Sequence, residues 1–241
     1  MPHISLSAEK LAIVAGLPIT NALITTWLVM GLLILLAVFG TRNLRLIPGY
    51  GQSLVEIVIG GLYDFFASVT GKHITKFFPL LASLFLFIIA ANWVGLLPGV
   101  GTIGFFHGEE FTPLLRGATA DLNTTLALAI VAVAAIQYFG FQTVGIHYSR
   151  RFFNFKDPIY FVLGILEIIS EVSKVISFAF RLFGNIFAGE VLLAVMAFLM
   201  PFVVPLPFLM MELFVGFIQA LVFSMLTAVF LNVAVSHGEE G

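Results

Sequence analysis

One apolar run, from Ile159 to Val235, constrains the fold more than any other part of the chain because charged residues lie inside it. A charged side chain at the centre of a bilayer costs about 2.5–3.5 kcal/mol on insertion scales, so such residues face partners or a watery path. The charged residues within the run are Glu167, Glu171, Lys174, Arg181, Glu190 and Glu212. We therefore expect a polar site inside the membrane as well as a hydrophobic anchor.

Helical spacing gathers most of these polar groups on one side of the predicted helix. At about 100° per residue, the side chains that fall within roughly 80° of one another are Glu167, Glu171, Lys174, Arg181 and Asn185. Glu190 lies roughly 140° from Glu167 and faces other surroundings. An arginine with acids on either side suggests a path for a small cation that a fixed positive charge interrupts. A buried ion-pair network that only holds helices together is the alternative, and the pattern alone leaves it open.

Composition also favours a membrane protein. The chain of 241 residues is 60% hydrophobic and 10% charged, whereas a soluble domain carries about 25% charged residues. The lack of cysteine excludes disulfides and thiolate metal ligands. No basic tract suits nucleic acid, and we expect no cofactor and no metal. His107 lies near Glu109 and Glu110, but their spacing fits no standard metal site, so we expect these residues and Arg116 to lie in a solvated loop.

We predict a single all-α domain, integral to the membrane. Its segments are an N-terminal head over 1–17, spans over 18–39, 77–97 and 121–144, an interfacial amphipathic helix over 53–68, and long helices over 158–200 and 208–236. The expected boundary signals are Pro98-Gly99 after the second span, Asp121 as a helix cap, Asp157-Pro158 before the first long helix, and Pro201, Pro205 and Pro207 between the two long helices.

The two long helices cannot cross the membrane upright. At 1.5 Å per residue they are roughly 65 and 43 Å long, against about 30 Å of hydrocarbon. We therefore expect a steeply tilted two-helix hairpin beside three roughly perpendicular spans. On its second helix, Glu212, Gly216, Gln219 and Phe223 share a face within roughly 60°. Gln219 can meet Arg181 across the hairpin, and a generic interhelical hydrogen bond is the alternative.

The string RLFGNIFAGE, residues 181–190, resembles the signature of subunit a of F-type ATP synthases. Other stretches similar to that family are Pro48-Gly49 with Gln52 and Glu56, Asn92 with GLLPG at 95–99, and QALVF from Gln219. The resemblance covers roughly residues 45–236. Some family members have histidine where this chain has Glu212, and others have an acid. We therefore expect Glu190 and Glu212 to share a polar pocket and to titrate as a coupled pair.

The resemblance implies a stator subunit that carries protons and is not an enzyme on its own. Its partners would be the c-ring, subunit b of the peripheral stalk, other synthase subunits and the lipid bilayer. Its location would be the inner membrane of a bacterium, or alternatively a thylakoid or other energy-transducing membrane. Arg181 would hold a ring carboxylate ionised between two aqueous half-channels. The proton path would include Glu190, Glu212, Asn185, Gln219, Glu167, Glu171 and Asp121, although helix capping alone also explains Asp121.

Two other functions remain to be weighed. A secondary ion or solute transporter could use an intramembrane Arg/Glu site, but the sequence shows no inverted repeat and no matched pair of discontinuous helices. A structural membrane scaffold does not explain an arginine within the polar stripe.

The charge of the loops predicts the orientation. Segments 41–76 and 147–157 hold four and three Lys/Arg residues, and segment 98–120 holds one. By the positive-inside rule the first two segments face the cytoplasm, so the N-terminus is outside and the C-terminus inside. Reporter tags at residue 107 and at the C-terminus should report opposite sides of the membrane. Finding both tags on one side would contradict this topology.

Overall fold

The computed structural model describes residues 9–14, 17–42, 44–97, 100, 104–107, 110–145, 148, 158–200 and 203–236. Within these ranges the α-helices are α1 (Asn21–Thr41), α2 (Tyr50–Thr70), α3 (Ile74–Gly95), α4 (Leu122–Val144), α5 (Pro158–Leu199) and α6 (Pro205–Ser236). Single 3-10 turns occupy Gly71–His73 and Ala118–Ala120. Two short antiparallel hairpins complete the fold: β1 (Lys10–Val14) with β2 (Leu17–Thr20), and β3 (Gly104–His107) with β4 (Glu110–Pro113).

The described chain contains five helical stretches that are long and apolar enough to cross a membrane. They are α1, α4, α5, α6 and the continuous stretch Tyr50–Gly95, which holds α2 and α3. Large apolar side chains are exposed along these helices, as Ile34 and Leu36 on α1 illustrate at 60% each. The chain is therefore an all-α membrane protein, as its composition predicted.

The N-terminal hairpin is the largest departure from the sequence prediction. The first span was expected to begin at 18, but β2 runs through Pro18 and α1 begins at Asn21. Thr20 caps the helix, because its hydroxyl oxygen accepts a hydrogen bond from the backbone N–H of Leu23 at 3.3 Å. Strands of five and four residues are too short to leave a clear alternating pattern.

The prolines before α6 were also misread. Pro205 and Pro207 were expected to lie between the two long helices. Both lie in the first turn of α6, which begins at 205 and not at 208. The first turn of a helix tolerates proline because its N–H groups have no partner within the helix. Some predictions fall outside the described residues. They concern the first part of the head (1–8), Pro98-Gly99, the side chains of His107 and Glu110, Glu109, the three basic residues of segment 147–157, Asp157 and Pro201.

The core lies where α3, α4, α5 and α6 pack together. Its fully buried large side chains include Phe77, Leu81 and Ile88 of α3, Ile136 of α4, Leu182 of α5 and Leu231 of α6. Asn92 of α3 joins two of these helices, because its Nδ2 donates a hydrogen bond to the backbone oxygen of Gly216 in α6 at 2.9 Å. The Thr119 hydroxyl donates to Oδ1 of Asn92 at 2.7 Å. These buried hydrogen bonds fix α3 against α6 and against the turn before α4.

Candidate functional site

A cavity of about 420 Å³, lined by apolar side chains and a set of polar ones, lies at one end of the helix bundle. It is bordered by the first residue of α1, the last residues of α3, the turn before α4, the C-terminal half of α5 and the beginning of α6. Its polar lining residues are Glu9, Asn21, Asn92, Arg116, Glu190 and Glu212. Three carboxylates and one arginine therefore surround one space inside a membrane protein.

Glu190 of α5 pairs with Arg116 in this cavity. Nη2 of Arg116 lies 3.4 Å from Oε2 of Glu190, and the two side chains are 8% and 41% exposed. The sequence placed Arg116 in a solvated loop, and this prediction was wrong because the side chain is buried among the helix ends. The pair balances one acid of the cavity with one fixed positive charge.

The backbone around Arg116 is held by two neighbouring helices. The backbone N–H of Arg116 donates to the Thr25 hydroxyl of α1 at 3.2 Å. Nδ2 of Asn21, also on α1, donates to the backbone oxygen of Pro113 at 3.3 Å. At the end of α3, a Cβ on Gly95 would lie 2.8 Å from Cα of Gly117. Only glycine at 95 permits this close approach, which brings the Arg116 segment against the bundle.

Glu212 of α6 contributes the most deeply buried acid of the cavity. The residue is 2% exposed, and its Oε1 has no hydrogen-bond partner among the described residues. Its carboxyl group lies against Gly189 of α5, where an added Cβ would overlap it. The predicted shared pocket of Glu190 and Glu212 is therefore present, and Gly189 makes room for it. A buried carboxylate oxygen without a partner is costly unless water or a proton reaches it.

Arg181 lies on an outward face of α5 and does not line the cavity. Its side chain is exposed, as are Gly184, Asn185 and Ala188 on the same helix. Nη2 of Arg181 donates to the Ser177 hydroxyl at 3.3 Å. Within the part of the chain that the structure describes, Arg181 has no acidic partner.

Gln219 is half-buried on α6 at the level of Arg181. Gly189 lies against Glu212, and the rings of Phe178 and Phe223 are 4.9 Å apart, so the two helices keep one antiparallel register. In this register Gln219 lies level with Leu182, the neighbour of Arg181. No hydrogen bond joins Gln219 to Arg181 among the described residues, so the direct contact expected from sequence is not formed here.

The remaining predicted residues lie elsewhere. Glu171 Oε1 accepts a hydrogen bond from Nζ of Lys174 at 2.7 Å, and Lys174 lies 4.7 Å from the ring centre of Phe230 on α6. Glu167 is half-buried one turn before Glu171. Asp121 is buried and caps α4, because its Oδ1 accepts from the backbone N–H of Asn123 at 3.4 Å. The predicted cap is confirmed, and Asp121 does not line the cavity.

Sequence reasoning missed part of the cavity. Arg116 was the single basic residue of segment 98–120, and Asn92 was noted only as part of a similar stretch. Neither residue lies on the polar stripe of α5, so helical spacing could not connect them with Glu190 and Glu212. Glu9 and Asn21 come from the head and the start of α1, where no motif or periodic pattern indicates a site.

Fold and site together define a helical membrane protein with ionisable groups around an internal cavity. The family model for the ATP synthase A chain matches residues 23–232. The chain is 34% identical to ATP synthase subunit a of Geotalea daltonii over 221 residues, and this alignment covers 90% of the chain and 89% of the relative. It is 37% identical over 215 residues to the subunit a of Trichlorobacter lovleyi (88% and 86%) and 38% identical over 214 residues to that of Desulfotalea psychrophila (88% and 83%). The chain therefore belongs to the ATP synthase subunit a family.

The close contact of Gly189 with Glu212 can be tested by adding one methyl group. Gly189→Ala should displace the Glu212 carboxyl group or push α5 from α6, at a cost of about 1–3 kcal/mol. Compared with the wild type, we expect Gly189→Ala to have a lower melting temperature in detergent and to give slower proton flux through membranes that contain it.

Gly31→Ala on α1 is the matched control, because a Cβ there meets nothing within 4 Å. A shorter acid should relieve the overlap, so Gly189→Ala combined with Glu212→Asp should recover part of the flux. Equal behaviour of the two alanine variants would contradict the described packing.

Proposed function

We propose that this chain is the stator subunit of a rotary F-type ATP synthase and carries protons to and from a ring of small partner subunits, the c-ring. Two aqueous half-channels reach the middle of the membrane from opposite sides, and Arg181 separates them. The ring carboxylates are the mobile carriers. The chain itself is not the catalyst of ATP synthesis, and it couples that reaction to proton flow.

The observation that carries this proposal is the exposed guanidinium of Arg181. Arginine stays charged in proteins, and a charge facing hydrocarbon is costly. No described acid of this chain pairs with Arg181, and the guanidinium donates to the Ser177 hydroxyl, which carries no charge. A carboxylate on a partner that covers this face of α5 would supply the missing charge. Asn185 extends the exposed face of Arg181 by one helical turn, and the half-buried Gln219 lies at the level of Arg181 on α6. Both residues would contact that partner.

The outer half-channel is supported by the cavity. The helix ends that border it are those which the positive-inside rule assigns to the outside. Glu190, held by Arg116, and the buried Glu212 line the cavity, and Gly189 lies between these acids and the level of Arg181. Protons would pass from the cavity through Glu190 and Glu212 to a ring carboxylate. Asp121 would take part in proton transfer at the edge of this route, in addition to capping α4.

The inner half-channel is assigned to the polar groups on the other side of Arg181 along α5. Glu171 has one buried carboxylate oxygen without a hydrogen-bond partner among the described residues, and Glu167 lies one turn away. Lys174 balances the charge of Glu171. Protons would leave a ring carboxylate along these acids toward the cytoplasm.

The lengths of the helices suit this arrangement. With 42 and 32 residues, α5 and α6 are longer than an upright span requires, and a steep tilt would lay them along the side of a ring. The spans α1, α3 and α4 would stand roughly perpendicular, and α2 would lie at the membrane surface. The relatives named above come from bacteria, which favours the inner membrane of a bacterium, with subunit b of the peripheral stalk and other synthase subunits as further partners.

Replacement of Arg181 tests this function. Arg181→Ala should abolish coupled ATP synthesis, because no fixed charge would then hold the ring carboxylate ionised. It should leave a passive proton leak, because protonated carboxylates could pass between the half-channels. Arg181→Lys should also fail as a barrier, because a desolvated lysine can lose its proton. The measurements are ATP synthesis in intact membranes and proton flux in membranes stripped of the catalytic head.

Arg42→Ala is the control for the loss of a positive charge, because Arg42 is exposed at the end of α1. It should retain synthesis. Normal synthesis in Arg181→Ala would refute the proposed role. If Arg181→Ala abolishes synthesis but its membranes do not leak protons, Arg181 is essential but does not seal the two half-channels from each other.

A further inference from the structure

Glu9 is a third acid of the polar cavity and comes from outside the membrane helices. The hairpin of β1 and β2 pairs Lys10 with Thr20 and so returns the chain to the beginning of α1. The backbone oxygen of Glu9 accepts a hydrogen bond from the backbone N–H of Asn21 at 3.2 Å. Asn21 is fully buried and also holds the backbone of Pro113. Glu9 is therefore fixed at the rim of the bundle by the same residue that ties down the Arg116 segment.

The side chain of Glu9 lines the cavity. Its Oε2 is buried and has no hydrogen bond among the described residues. The charged groups that line the same cavity are Arg116 from the segment before α4, Glu190 from α5 and Glu212 from α6. A buried carboxylate oxygen needs a hydrogen-bond donor, and a cavity of about 420 Å³ has room for several water molecules that could serve.

We propose that Glu9 is the outer proton-collecting carboxylate of this cavity. This inference rests on the proposed function and adds a residue to the outer half-channel. Glu9 lies in the segment before α1, whereas Glu190 and Glu212 lie within membrane helices. A carboxylate at the rim attracts protons from the external solution and passes them through water to Glu190 and Glu212. Because Glu190 already pairs with Arg116, the charge of Glu9 adds to the negative potential of the cavity and raises the local concentration of protons.

The distinguishing property of a proton collector is its dependence on external pH. When external protons are scarce, uptake limits the rate, and loss of one unit charge a few ångströms from the route should lower that rate about fivefold. When protons are abundant, uptake no longer limits the rate, and the loss should have little effect. A purely structural role of Glu9 would lower the rate equally at every pH.

The experiment measures ATP synthesis by the complete synthase in vesicles at constant driving force, while the pH on the side of the N-terminus is varied. Glu9→Gln should slow synthesis about fivefold at alkaline external pH and leave it nearly unchanged at acidic pH. Glu9→Asp should retain most of the wild-type profile. Asp64→Asn is the matched control, because Asp64 is an exposed carboxylate on α2 that does not line the cavity.

A profile of Glu9→Gln that matches the wild type, or one that is lowered equally at all pH values, would overturn the inference. Glu9→Cys gives an independent test if Glu9→Gln does not assemble, because the chain contains no other cysteine. A thiol reagent that carries a sulfonate should restore synthesis at alkaline pH, and a reagent that carries an ammonium group should not, with the wild-type complex treated in parallel. Equal effects of the two reagents would also overturn it.

Failure of this inference is distinguishable from failure of the proposed function. If Arg181→Ala abolishes synthesis while Glu9→Gln behaves as the wild type, only the role of Glu9 is lost. If Arg181→Ala supports normal synthesis, the proposed function falls whatever Glu9 does.

Discussion

The cost of placing a charge in hydrocarbon governs how this structure is built. Every ionisable group within a membrane helix needs a counter-charge, water or a partner molecule. Glu171 meets this need with Lys174, and Glu190 meets it with Arg116. Glu212 lines the cavity, and its Oε1 has no hydrogen-bond partner among the described residues. Arg181 has no acidic partner among the described residues, and its guanidinium donates to the uncharged hydroxyl of Ser177. Under the proposed function, a carboxylate of a partner subunit would supply the counter-charge.

The packing of the helix bundle positions the charged groups that line the cavity. The Asn92 hydrogen bonds hold α3 against α6, and the Thr25 and Asn21 hydrogen bonds hold the Arg116 segment against α1. The absence of a side chain at Gly189 leaves room for the Glu212 carboxyl group between α5 and α6. At this end of a bundle whose core is otherwise apolar, the packing therefore leaves a cavity that brings Glu190 and Glu212 together.

The sequence predicted the parts of the structure that repeat along one helix. Hydropathy indicated the membrane helices, and the spacing of α5 indicated Arg181 and the acids near it, because both signals are local and periodic. The cavity required residues from several segments to come together, and no periodic pattern links Glu9, Arg116 and Glu212. Arg116 appeared solvated because a lone arginine in a polar segment carries no sign of burial. The short hairpins and the start of α6 were missed because turn and cap contacts decide them.

If the proposed function holds, the cavity is a water path open to one side of the membrane, and labelling of single cysteines can detect such a path. Ala194 lines the cavity, whereas the adjacent Val195 does not line it and is 40% exposed on an apolar face of the same helix. The measurement compares Ala194→Cys and Val195→Cys for reaction with a membrane-impermeant maleimide added from either side. The account predicts that Ala194→Cys reacts only from outside and that Val195→Cys reacts from neither side. Reaction of Ala194→Cys from the cytoplasmic side, or equal rates for the two variants, would contradict it.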